Sequence, residues 1–150
     1  VLREISNKNF SAKDNTGPKS ISGFLIRVSE LVPKIVLRQM TLLIRLLNNS
    51  SFTLRCAVVE VCGNIVLNSH KNVEQEGNAE LLKQQQVEVL IELLEERFLD
   101  TNPYVRTKAI QAFMKICDLE ATRGESQQFS REKVKWAKLA VRSCKINHRW

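Results

Sequence analysis

Residues 90–120 read LIELLEERFLDTNPYVRTKAIQAFMKICDLE, and this stretch decides the fold. It predicts two helices folded back on each other through Asp100-Thr101-Asn102-Pro103. Asn102 is a natural N-cap, and Pro103 occupies the first helical position, where the missing N–H costs nothing and the fixed φ already suits a helix. Beyond the turn Val105, Ala109, Ala112, Phe113 and Ile116 recur at helical spacing and form one apolar face. A face of that kind has to be covered by another element.

Working outward, the same pattern appears earlier in the chain. Shifting the sequence by 51 residues lays VLRQMTLLIRLLNNSSFTLRCAVVEVCGNIV, from Val36, on VEVLIELLEERFLDTNPYVRTKAIQAFMKIC, from Val87. Leu42-Leu43 falls on Leu93-Leu94, Ser51 on Asn102, and Leu54-Arg55 on Val105-Arg106. Removing a loop insertion of roughly ten residues leaves a period of about 41, inside the range of HEAT-type repeats. A third copy begins at Leu139-Ala140 with its first helix only. One helix pair cannot bury its own apolar face, so stacked pairs supply the core. The expected fold is therefore an all-α HEAT-repeat solenoid, with about two and a half repeats over residues 21–144. The chain is read as part of a longer array, and its first residue, Val1 rather than Met, suits that reading.

The remaining segments fit around these repeats. Residues 1–20 are polar and basic with a Gly17-Pro18 breaker, which predicts a linker or disordered lead-in. A short helix is expected over Ile21–Leu31, with Phe24, Leu25, Val28 and Leu31 on one side. The helix predicted over Pro33–Leu47 is apolar almost all round apart from Lys34, Arg38, Thr41, Arg45 and Asn48, whose 4, 3, 4, 3 spacing makes one basic seam. Ser50 or Ser51 is available to cap a helix over Phe52–Leu67, whose core face is Leu54, Val58, Val61, Cys62 and Ile65. An exposed loop is predicted over 68–79. The helix over Glu80–Leu99 should bury Leu90, Leu93, Leu94 and Phe98 and expose Glu88, Glu92, Glu95 and Glu96. A polar loop over 121–130 leads to a last helix, capped by Ser130 and ending near Cys144.

Composition narrows the functional classes. Five Gly and three Pro supply little turn chemistry for a β-sandwich. No apolar run is expected to reach the roughly 18 residues that a membrane span needs and no signal-peptide core is present, so a soluble intracellular protein without membrane contact is expected. Cys56, Cys62, Cys117 and Cys144 sit among apolar neighbours in helices and read as buried free thiols. With His70 and His148 far apart, no metal set forms, and no cofactor is predicted. The acidic positions Glu88, Glu92, Glu95 and Glu96 lack a His, Ser or metal partner that would complete a mechanism, and no glycine-rich phosphate loop occurs. A non-enzymatic protein with no small-molecule substrate is the expectation.

Charge points to a surface role. Residues 1–50 hold eight basic and three acidic side chains, 51–100 four and nine, and 101–150 eleven and four, for a total of +7. The excess is local, as an electrostatic footprint would be. In the last helix Arg131, Lys135, Lys138, Arg142 and Lys145 follow the 4, 3, 4, 3 spacing. Lys34, Arg38 and Arg45, with Arg131, Lys135, Lys138 and Arg142, are the candidate contacts to double-stranded DNA, non-specific because no helix-turn-helix or zinc-finger pattern appears. The alternative is a protein-only adaptor or transport-receptor module that holds a peptide in the solenoid groove. Arg55 and Arg106 occupy equivalent slots and are expected to tie repeat to repeat through an acidic or carbonyl group near the turn, with Asp100 a partner.

The segments RQMTLLIRLLNNSSFTLRCAVVEVCGNIV and LLEERFLDTNPYVRTKAIQAFMKICDLE resemble the HEAT-repeat, non-SMC subunits of condensin, over about Ser20 to Ser143. The resemblance implies a long α-solenoid that binds the kleisin and the SMC ATPase heads, helps engage DNA in mitotic chromosome condensation, and works in the nucleus and on chromosomes with a cytoplasmic pool. It carries no catalytic residue onto this chain. Residues 145–150 depart from the family pattern, which expects an acidic turn and a further helix opening on Val-Arg, so they form a divergent or truncated tail and Lys145 is set aside from the basic stripe.

Overall fold

The computed structural model describes residues 1–10, 15–71 and 78–123. These residues are helical, as the sequence predicts, with no strand among them: α1 Leu2–Asn7, α2 Thr16–Leu31, α3 Pro33–Arg38, α4 Met40–Ile44, α5 Phe52–Lys71, α6 Asn78–Glu96 and α7 Pro103–Arg123. Short 3-10 turns, Arg45–Asn48 and Arg97–Leu99, end the helices before each hairpin bend.

Helix α5 is the centre. It packs chiefly against α2 on one side and α7 on the other, with α3 and α6 also against it, while α1 rests on α4. The expected core face, Leu54, Val58, Val61, Cys62 and Ile65, is fully buried, and Ala57, Val59 and Val66 are buried as well. Each such Val or Leu contributes about 1.5–3 kcal/mol. This makes α5 more apolar than an amphipathic surface helix. The window Phe52–Ser69, mean hydropathy 1.2, is long and apolar enough to cross a membrane, although half of it is buried by its neighbours. The expectation that no segment has that length and composition is corrected accordingly; burial against four helices accounts for the apolar surface without a bilayer.

Gly63 shows how closely the helices approach. A Cβ built there would lie 3.0 Å from the Cβ of Ala112. Two small residues facing each other let α5 and α7 meet nearly backbone to backbone, and α7 buries Val105, Ala109, Ile110, Phe113, Ile116 and Cys117. Phe113 also meets Phe98 edge to face at 5.4 Å between centroids.

Several sequence expectations are corrected. Residues 1–20 are not wholly a linker: Leu2–Asn7 is helical, α2 starts at Thr16, and Ile5, Phe10 and Pro18 are buried. Helix α2 turns a different face inward, burying Pro18, Ser22, Leu25 and Ser29 and leaving Phe24 and Leu31 exposed. Hydroxyls can line that interface because each is satisfied. Ser22 Oγ donates to Pro18 O at 2.7 Å, and Ser29 Oγ donates to Ile26 O at 2.7 Å while accepting from Asn64 Nδ2 at 3.0 Å. The single helix expected over Pro33–Leu47 breaks at Gln39, φ −108° and ψ 10°, before α4. The break lets Val36, Met40, Leu43, Leu46 and Leu47 all reach the core, whereas Ile35 stays exposed. The predicted 68–79 loop is shorter, since α5 runs to Lys71 and α6 begins at Asn78, and the 121–130 loop likewise yields Ala121–Arg123 to α7. In α6 the buried set is Val87, Leu90, Ile91 and Leu94; Leu93, and Phe98 in the 3-10 turn after it, are only partly covered.

Candidate functional site

The two hairpin bends are built from equivalent atoms 51 residues apart. In the first, Asn49 Oδ1 accepts from Ser51 N–H at 2.9 Å; in the second, Asp100 Oδ1 accepts from Asn102 N–H at 2.9 Å. Arg55 Nη1 donates to the carbonyls of Asn49 and Ser50 at 2.7 and 3.3 Å, and Arg106 Nη1 donates to those of Asp100 and Thr101 at 2.7 and 3.2 Å. A planar guanidinium reaching back six residues satisfies carbonyls that the 3-10 end leaves without a helical partner. The N-cap predicted at Asn102 is present, its Oδ1 accepting from Tyr104 N–H at 2.9 Å with Pro103 as the first helical residue.

One rung joins the two bends. Arg55 Nε and Nη2 bond Asp100 Oδ2 and Oδ1 at 3.1 and 3.0 Å, a bidentate pair between side chains only 12% and 4% exposed. Burial by itself would raise the Asp100 pKa. Hydrogen bonds from Arg55 and from Asn102 N–H, with the charges of Arg55 and Arg97, outweigh it and hold the carboxyl below its ordinary value. Arg55 thus spans the two bends, whereas Arg106, of which the same tie was expected, bonds the carbonyls of its own bend and forms no ion pair among the described residues.

Arg97, which the sequence did not single out, stands beside the rung. Its Nη1 lies 3.4 Å from Leu47 O and 4.0 Å from Asp100 Oδ2, and its Nε is buried without a hydrogen-bond partner among the described residues. Leu47, Asn48, Arg55, Arg97, Leu99 and Asp100 are among the residues lining an open cleft of about 310 Å³ between the bends. Arg55 and Arg97 both pair with Asp100 across this cleft.

The basic seam lies elsewhere. Lys34, Arg38, Thr41, Arg45 and Asn48 are all exposed despite the break at Gln39, and none of the three cations forms an ion pair among the described residues. Glu88, Glu92 and Glu96 are exposed as expected, and Glu95 is half-buried. Arg131, Lys135, Lys138 and Arg142 lie outside the described residues, as do Cys144 and the tail.

On the outer side of α5 and α7, Phe52 and Tyr104 stack at 5.7 Å, and Lys108 Nζ bonds Glu60 Oε2 at 2.9 Å. Glu60, Asn64, Leu67, Lys108, Gln111 and Lys115 border a shallow depression beyond this pair. Cys62 and Cys117 are buried thiols and Cys56 is half-buried. Burial pushes the Cys62 thiol up to about 12, and burial likewise raises Cys56 against the lowering effect of Lys108 and Arg55. Thiols held protonated are poor nucleophiles and poor metal ligands. Among the described residues no group of three His, Cys, Asp or Glu side chains could hold a metal ion.

No family model matches the chain. Individual proteins do. Over 143 residues, 95% of this chain, it is 59% identical to condensin complex subunit 1 of Saccharomyces cerevisiae, and over 142 residues it is 37% identical to condensin complex subunit 1 of Schizosaccharomyces pombe. The human protein of that name is 27% identical over 123 residues, 81% of the chain. The chain spans 11% of the budding-yeast relative, 12% of the fission-yeast one and 8% of the human one.

Proposed function

Since the chain is homologous to a segment of condensin complex subunit 1, we propose that it is a non-enzymatic HEAT-repeat scaffold segment of a condensin. Its work is to hold partner subunits, the kleisin and the SMC ATPase heads, and to contact duplex DNA without sequence preference during mitotic chromosome condensation. A place in the nucleus and on chromosomes, with a cytoplasmic pool, goes with that role. The identity with the yeast subunit over nearly the whole chain carries the reading. The atom-for-atom recurrence of the hairpin bends supports the repeat architecture, because a stack of hairpins pinned by equivalent arginines is a spacer whose surfaces have fixed directions.

The DNA contact rests on the exposed cations Lys34, Arg38 and Arg45, and on Arg131, Lys135, Lys138 and Arg142 of the basic stripe read from the sequence. The test is duplex binding against salt, with the wild type compared with glutamine variants of each set. Each lost phosphate contact should reduce the log–log salt slope by about 0.9. A slope unchanged in both variants overturns DNA contact by these residues. A partner peptide retained at high salt by a chain with no duplex affinity would favour the second reading, a protein-only module, for which the depression between α5 and α7 is the available groove.

A further inference from the structure

The corner where α2 meets α3 shows more apolar surface than the stack uses. Phe24 is 43% exposed, Leu31 63%, Val32 39% and Ile35 58%. Phe24 and Leu31 are seven residues apart and share one strip of α2, turned away from the buried Ser22, Leu25 and Ser29. Ile35 N–H donates to Val32 O at 3.0 Å and Val32 N–H to Val28 O at 2.9 Å, so the chain passes from one helix to the next without leaving this corner. Leu31, Val32 and Ile35 therefore lie within one turn on either side of Pro33.

Charge borders the strip on the α3 side. Lys34 and Arg38, one turn apart on α3 and flanking Ile35, are exposed and form no ion pair among the described residues. Arg27, on the α2 side, is already bound to Glu30 at 3.0 Å. Phosphates could use the two cations but would leave four apolar side chains in water. An apolar strip at helical spacing with cations at one edge is the complement of a helix whose apolar stripe is edged by carboxylates.

We propose that the α2–α3 corner is a docking surface for an acidic amphipathic helix of a partner protein, with Phe24, Leu31, Val32 and Ile35 receiving its apolar stripe and Lys34 and Arg38 its carboxylates. The proposal rests on the scaffold reading and gives the chemistry of one partner, which would compete with duplex DNA for Lys34 and Arg38.

The test measures binding of the whole chain to a labelled synthetic helix of about 20 residues, with leucines at i, i+3, i+4 and i+7 and glutamates flanking them. A control helix carries lysines in place of the glutamates. The glutamate helix should bind at least about tenfold more tightly than the lysine helix, a difference of about 1.4 kcal/mol. Leu31→Ser with Ile35→Ser should weaken it by about tenfold without lowering the thermal midpoint, since both side chains are exposed. Lys34→Gln with Arg38→Gln should remove most of the glutamate preference. Equal binding of the two helices, or binding of neither, overturns the proposal. So does displacement by duplex DNA that the serine variant leaves unaltered, which would make the corner a nucleic-acid surface. Self-association in sedimentation that the serine variant abolishes would assign the corner to a second copy of this chain and overturn it as well.

Discussion

Arg55 and Asp100 are 45 residues apart in sequence and meet through two parallel hydrogen bonds of 3.1 and 3.0 Å. The same arginine holds its own bend through Asn49 O, and the same aspartate closes the next bend through Asn102 N–H. One ion pair thus fixes two turns and their relative placement.

Removing the carboxylate should be costly because the pair is buried. Asp100→Ala leaves an uncompensated guanidinium and is expected to lower stability by about 3–5 kcal/mol. Asp100→Asn keeps the acceptor that closes the bend, as Asn49 does at the equivalent place, and should cost about 1.5–3 kcal/mol. Urea denaturation of both variants decides. An alanine variant within about 0.5 kcal/mol of wild type would show that the rung does not hold the hairpins together.

The same pair predicts a pH dependence. The folded-state pKa of Asp100 lies below its ordinary 3.8, so its contribution to stability is complete above that value and is lost as pH falls through the depressed folded value. The stability gap between wild type and Asp100→Asn should therefore be constant near neutrality and narrow below about pH 4. A gap that instead narrows between pH 8 and pH 5 would assign the titration to another group.

Gly63 tests the close approach of α5 and α7. Alanine in mid-helix ordinarily gains about 0.5–1 kcal/mol over glycine. Here its Cβ would sit 3.0 Å from Ala112 Cβ, which should cancel that gain, and Gly63→Val should destabilise by about 1–3 kcal/mol. Introduced into an Ala112→Gly background, which itself loses about as much, Gly63→Ala should recover its ordinary gain of about 0.5–1 kcal/mol. Strict additivity in this double-mutant cycle would mean that the two residues do not touch.

Thiol reactivity should follow burial. With Cys62 at about 12 and Cys56 half-buried, alkylation of the native chain at pH 8 should mark Cys56 well before Cys62 or Cys117, by at least about tenfold in rate. Peptide mapping after timed quenching gives the order. Labelling of Cys62 first would show that α5 opens more readily than its packing allows.

The sequence carried the helical class, the 51-residue register, the Asn102-Pro103 cap and the Arg55 strut, because each depends on local chemistry or on a repeated pattern. Exposure of Lys34, Arg38 and Arg45 was legible for the same reason. The inward face of α2 was not. Hydrophobic spacing favoured Phe24, Leu25, Val28 and Leu31, of which Leu25 is buried and Val28 packs partly on the core, whereas the interface also selected Ser22 and Ser29, whose hydroxyls find partners in Pro18 O, Ile26 O and Asn64. The break at Gln39 has no Pro or Gly to announce it. Nothing in the sequence singles out Arg97, and only the folded arrangement sets it near Leu47 O and Asp100.

Pinning the bends with a planar cation also gives the stack a preferred direction of give. Sliding one hairpin past the next would break both Arg55–Asp100 hydrogen bonds together while Arg55 stayed on the carbonyls of its own bend, so the margin that carries the bends behaves like the spine of a bound book. Bending that fans the hairpins apart at the opposite margin leaves those bonds intact. Between these two hairpins, Asp100 marks the margin that resists opening.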